Sequence, residues 1–232
     1  VEAVRAGGFT FRSTDIGVVM DLMIHDLDLV LSMVRSPVRR VDALGLSVLG
    51  GHEDVANARI EFDCGCVAAL SAARVSRNAA RRMQVWSARA YADVDFATRS
   101  TTIVRPSETL LSRRFDVESL SADQVEHYLK HLADEHLPRE ELHWDAVDAL
   151  VLEQDDFFQS IRLPRSPRVS GRQAREAVAV AEQILARIDA HRWSADEHGP
   201  AGPMAVPTAP VIPAPHWNLT PSRTPVQRRE AG

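Results

Sequence analysis

Asp15 to Val34 constrains the chain more than any other stretch. It reads D-I-G-V-V-M-D-L-M-I-H-D-L-D-L-V-L-S-M-V. At helical spacing it is apolar almost all round, so it predicts a buried helix. Gly17, Asp21, His25, Asp28 and Ser32 follow at steps of four, four, three and four, which puts them on one stripe. Asp15 is placed as the N-cap, and Gly17 as the residue that lets a neighbour approach the first turn. Polar groups on a buried helix need partners. Asp21 and His25 therefore allow two readings. One is a satisfied pair that locks the helix against its neighbour. The other is a general acid/base, an imidazole oriented by a carboxylate and titrating near neutrality.

The formal net charge of -5 over 232 residues gives no sign of a nucleic-acid or anionic-membrane partner. No apolar run is long enough and free enough of charge to span a bilayer, and the expected location is the cytoplasm. Cys64 and Cys66, in D-C-G-C-V, have no second ligand pair nearby. They are read as ordinary residues at a turn in a reducing compartment, and no metal site is expected. The chain begins at Val1 and enters ordered structure at once, so it is expected to be the later part of a longer protein.

Val1 to Phe11 reads as a short strand or loop. Arg12 and Ser13 precede the helix; Arg12 there is expected to be solvated, although such an arginine can face an anion. Ser36-Pro37 breaks the helical pattern. Strand-like segments follow at Val38–Leu49, Val55–Phe62, Val67–Val75, Met83–Ala88, Tyr91–Phe96 and Thr101–Val104. In the second, Ala56, Ala58, Ile60 and Phe62 alternate with Asn57, Arg59 and Glu61. Short turns between successive strands favour an antiparallel sheet, one face packed on the helix. The other face is expected to carry Asn57, Arg59, Arg74, Trp86 and Tyr91. Ser119 to Val151 is polar on most sides. It holds His127 and His131 at i, i+4, a possible metal-ligand spacing that is better read as an exposed excursion. Ala146–Ile161 and Arg172–Ile188 read as helices, the second capped by Ser170. Eight of the 13 prolines lie beyond Ser194, so residues 194–232 are expected to be a disordered tail after a folded unit of residues 1–193.

With these pieces in place, the chain resembles the C-terminal half of the Gfo/Idh/MocA family of oxidoreductases. G-V-V-M-D-L-M-I-H-D-L-D at residues 17–28 matches that family's G-x-x-x-D-x-x-x-H pattern. A-N-A-R-I-E-F-D-C-G-C-V-A-A-L at 56–70 and S-P-R-V-S-G-R-Q-A-R-E-A-V-A-V-A-E-Q-I-L at 166–185 support it in the expected order. The resemblance implies an α+β fold: an open, mostly antiparallel sheet packed on one face by helices, as in dihydrodipicolinate-reductase-like C-terminal domains. It implies NAD or NADP as cofactor, bound mainly by a Rossmann domain absent from this chain. It implies Asp21 and His25 as the catalytic pair, a small-molecule sugar or nucleotide sugar as substrate, and a homo-oligomer formed through the sheet face. The wording around the helix looks closest to members acting on nucleotide sugars, such as the UDP-N-acetylglucosamine 3-dehydrogenases.

Two departures limit what the resemblance implies. The family's lysine in an E-K-P-type motif belongs to the Rossmann half, and Lys130, the one lysine here, has a different context. No G-x-G-x-x-G occurs. The chain alone is therefore expected neither to bind a dinucleotide strongly nor to transfer hydride. Two rival readings stand beside it. One is an HD-type metal hydrolase, suggested by the adjacent His25-Asp26. The other is a non-catalytic sheet domain kept for oligomerisation or binding.

Overall fold

The computed structural model describes residues 1–112, 116–193 and 198–205. Most of the stretch expected to form a disordered tail lies outside those residues. The described residues build one eight-stranded sheet in the order β2-β3-β4-β1-β5-β6-β7-β8. The strands are β1 (Glu2–Ala6), β2 (Val38–Leu46), β3 (Val55–Phe62), β4 (Val67–Ala73), β5 (Ala80–Trp86), β6 (Tyr91–Asp95), β7 (Ser100–Val104) and β8 (Arg139–His143). All pairings are antiparallel except β1 with β4. The expected open, mostly antiparallel sheet is what forms. The Val1–Phe11 segment turns out to be its centre, a strand pinned between β4 and β5.

The helices are α1 (Ile24–Val34, preceded by a π-helical turn at Val19–Met23), α2 (Glu108–Leu111), α3 (Ala122–His131), α4 (Ala149–Arg162) and α5 (Gly171–Ala190). Helix α1 covers the inner face of the sheet. Val19, Met23, Leu27 and Val30 are fully buried at helical spacing, against the strand-period set Ala56, Ala58, Ile60, Phe62 and Leu70. Burying one such side chain contributes about 1.5–3 kcal/mol. Helix α5 lies beside α1 and over β2, with Ala181, Ile184 and Ile188 inward. A Cβ on Gly45 of β2 would come within 2.8 Å of the Ile188 side chain, so glycine is what lets α5 sit this close to the strand. Ser170 caps α5 in a capping box with Gln173, as its sequence predicts.

Three expectations are corrected. The helix starts at Val19 rather than at Asp15, which is exposed and does not cap it. Glu53, from the turn before β3, takes that role. Its backbone carbonyl accepts from Val18 N–H at 3.0 Å and its Oε1 from Val19 N–H at 3.1 Å. A side chain reaching in from another element is not visible to local cap rules. Second, the helix is not buried all round: Met33 and His25 are exposed. The apolar residues outnumber what one sheet face and one neighbouring helix can cover. Third, Arg74 is not on the open sheet face. It is buried and ion-paired with Asp54. Asn57, Arg59 and Trp86 do lie there, exposed.

Candidate functional site

The helix carrying Asp21 and His25 is fixed by two buried ion pairs. Arg5 on β1 donates Nε to Asp26 Oδ2 at 3.0 Å and Nη2 to Asp26 Oδ1 at 2.7 Å. Arg74, just after β4, donates Nε to Asp54 Oδ1 at 2.6 Å and Nη1 to the carbonyls of Ser13 (3.0 Å) and Ile16 (2.7 Å). Asp54 Oδ2 also accepts from Val48 and Leu49 N–H, each at 2.7 Å. Burial pushes the Asp54 carboxyl up. The Leu49 and Val48 amides and the Arg74 guanidinium outweigh that and hold it below the usual aspartate range. The segment entering the helix is thereby tied to the sheet at both ends.

Gly17 lies where a Cβ would fall 2.0 Å from Glu53 Oε1. The neighbour that approaches the first turn is thus the Glu53 carboxylate. In the π-helical turn that follows, Ile24 N–H bonds back five residues to the Val19 carbonyl. Such turns recur at functional sites, and this one carries Asp21.

Asp21 and His25 border one open cavity of about 360 Å³. Its other walls are the Gly7–Arg12 loop, Arg5, Arg74 and Arg81. Asp21 is half-buried and His25 exposed. Neither side chain is hydrogen-bonded among the described residues. The carboxylate therefore does not hold the imidazole, as both sequence readings supposed. Both groups instead face open space. His25 also borders an adjoining cavity of about 530 Å³ with Asp28, Arg81 and Phe96. Asp28 and Ser32 border a third, between α1 and the start of α5. The predicted polar stripe runs along this trough.

The remaining candidates fall elsewhere. Asp26, next to His25 in sequence, is buried with both oxygens engaged by Arg5, so the two residues point to different faces and offer no shared metal site. His127 and His131 stack at 4.7 Å on α3, and Glu135 lies 3.7 Å and 3.3 Å from their ring nitrogens. They belong to an exposed excursion, as their surroundings predict, and Lys130 is exposed beside them. Cys64 and Cys66 are free thiols at the β3–β4 turn. No helix among the described residues is long and apolar enough to cross a membrane. Arg81 and the Glu53–Asp54 pair were not singled out by sequence. Two acids directly before an apolar strand, after Gly50-Gly51, were the available signal.

Comparison with known proteins gives a consistent result. Residues 4–92 match the family model described as the GFO/IDH/MocA C-terminal domain. The chain is 32% identical over 190 residues to the UDP-N-acetylglucosamine 3-dehydrogenase of Acidithiobacillus ferrooxidans, a match covering 82% of this chain and 54% of that one. It therefore spans about half the length of this curated relative. A solved structure of the same enzyme superposes with a TM-score of 0.66, covering 81% of this chain and 53% of the other. An NAD-binding protein from Listeria innocua shares the fold at 17% identity and a TM-score of 0.58, over 80% of this chain and 55% of its own.

Proposed function

The chain carries the C-terminal domain of the Gfo/Idh/MocA family, and from that premise we propose that it is the substrate-side half of an NAD(P)-dependent dehydrogenase acting on a sugar hydroxyl. The observation that carries this reading is the single open cavity bordered by both Asp21 and His25 on a helix braced by buried ion pairs. The similarity to a UDP-N-acetylglucosamine 3-dehydrogenase supports a nucleotide sugar as substrate. A cytoplasmic setting fits such a substrate.

The described residues do not fit a dinucleotide. The sheet has one parallel strand pair, and no glycine-rich strand–turn–helix cradles a pyrophosphate. NAD or NADP is assigned to the Rossmann domain that the family resemblance implies, where it would accept the hydride. This chain's own residues account for proton movement. The exposed His25 ring takes the proton of the sugar hydroxyl as general base. Asp21, one turn earlier in the same cavity, stabilises the imidazolium through space and orients the sugar.

A homo-oligomer through the outer sheet face accompanies this reading. That face presents small side chains at Ala69 and Ser71 of β4. It is flanked by paired charges, Arg39 and Arg59 on Glu61, and Arg82 on Asp93.

In the working enzyme with its dinucleotide bound, His25→Ala lowers kcat by roughly 10²–10⁴-fold, the range for a lost acid/base. Unchanged kcat with an intact fold refutes the assignment.

A further inference from the structure

The cavity beside His25 is ringed by arginines in a chain whose net charge is -5. Local positive charge there runs against the overall balance. Arg5 and Arg74 are matched to the buried carboxylates Asp26 and Asp54. Arg12 and Arg81 have no ion pair or side-chain hydrogen bond among the described residues. Asp21 is the one carboxylate bordering the cavity to set against them. The opposite face of the same sheet is different. There Arg39, Arg40, Arg59 and Arg82 each hold a carboxylate. Arg82, next in sequence to Arg81, is bidentate on Asp93.

Both free guanidinium groups are carried by fixed backbone. Arg81 lies opposite Arg5 in the β1–β5 register, on the helix side of the sheet, and borders both cavities that include His25. Arg12 sits between Phe11 and Ser13, each in the left-handed region at φ 55° and 51°. Non-glycine residues held there cost of order 1–3 kcal/mol each, and such positions concentrate at ligand sites. Here Arg74 holds the loop through the Ser13 and Ile16 carbonyls, and its guanidinium lies 5.5 Å from the centre of the Phe9 ring.

We propose that Arg12 and Arg81 form an anion subsite for the phosphate groups of the substrate, so that the cavity presenting His25 takes a nucleoside diphosphate sugar and discriminates against the free sugar. This deepens the dehydrogenase reading and rests on it. A guanidinium matches phosphate oxygens in a two-pronged geometry that a sugar hydroxyl does not use. In a nucleoside diphosphate sugar the anion is joined to the sugar itself. A phosphate site and an acid/base must then share one small volume, and these two arginines border the cavity that holds Asp21 and His25.

The test is calorimetric titration of the full 232-residue chain with uridine diphosphate and inorganic pyrophosphate, with N-acetylglucosamine as the uncharged control. Uridine diphosphate and pyrophosphate bind, and binding weakens as salt rises. Arg12→Gln and Arg81→Gln each weaken both by roughly tenfold or more, as for a lost charged hydrogen bond. Lys130→Gln, an exposed cation on α3 away from the cavity, leaves both unchanged. Both arginines are exposed, so a melting curve matching the parent shows that the variants are folded. Failure of the parent chain to bind either anion overturns the subsite. So does binding that neither variant weakens. If the anions bind through these arginines while the working enzyme oxidises no nucleotide sugar, the subsite stands and the dehydrogenase reading falls.

Discussion

The half of the molecule built from β1–β5, α1 and α5 and the excursion from α2 to α4 follow different physical rules. In the first, apolar residues at strand and helix period meet across an interface, and buried charges are matched: Arg5 with Asp26, Arg74 with Asp54. In the second, α4 exposes Leu150, Val151, Phe157, Phe158 and Ile161 by more than half. Local devices define it instead. Asp148 caps it by accepting from Leu150 and Val151 N–H, and Asp156 ties it to Arg165 and to the Arg168 N–H. Helix α4 is thus specified by its own sequence, and α1 by what it packs on.

Four experiments press on that contrast. Asp26→Ala leaves Arg5 buried and unpaired, so urea denaturation should show a loss of about 3–5 kcal/mol. A loss near zero would mean that the core half is not held by matched charge. Gly17→Ala forces the Glu53 carboxylate off the Val19 N–H and should cost about 1–2 kcal/mol, in the range of a lost cap. Acid should act on both halves through carboxyls held low. The Asp54 contribution is complete above the ordinary aspartate value of 3.8 and is lost as pH falls through the lower folded value. Asp156, held low by the Arg168 amide and Arg165, follows the same sign. Melting temperatures taken downward from neutral pH should therefore drop at the acid end, and Asp54→Asn should flatten that drop. Smallest of all, Phe158→Ser on the exposed side of α4 should change global stability by less than about 0.5 kcal/mol. A larger loss would show that α4 is packed after all.

Legibility in the sequence follows the same division. The alternation of Ala56, Ala58, Ile60 and Phe62 is a period-2 signal, and β3 buries those four residues. Ser170 announced α5, and the Asp21, His25, Asp28 and Ser32 part of the stripe announced the trough along α1, while Gly17 is buried against Glu53. What stayed hidden depends on distant partners. Glu53 caps a helix 34 residues away, and Arg74 reaches back 61 residues to Ser13. R-E-E-L-H at 139–143 has no strand-like character of its own and becomes β8 by pairing with β7. Arg12 reads as a solvated arginine and is exposed; its place beside Arg81 on the cavity border depends on the path of the loop, which the local sequence does not announce.

The placement of β1 has a kinetic consequence. Glu2 pairs with Ala69 on one side and Gln84 on the other, so the strand joins two meanders that are otherwise each assembled from neighbours in sequence. The β2–β4 and β5–β7 ribbons can zip early, because their loops are short. The middle of the sheet closes only when a segment made long before either ribbon slots between them. Loop closure across that span slows the final step. Until it happens, two unsatisfied strand edges face each other, and aggregation competes with folding for them.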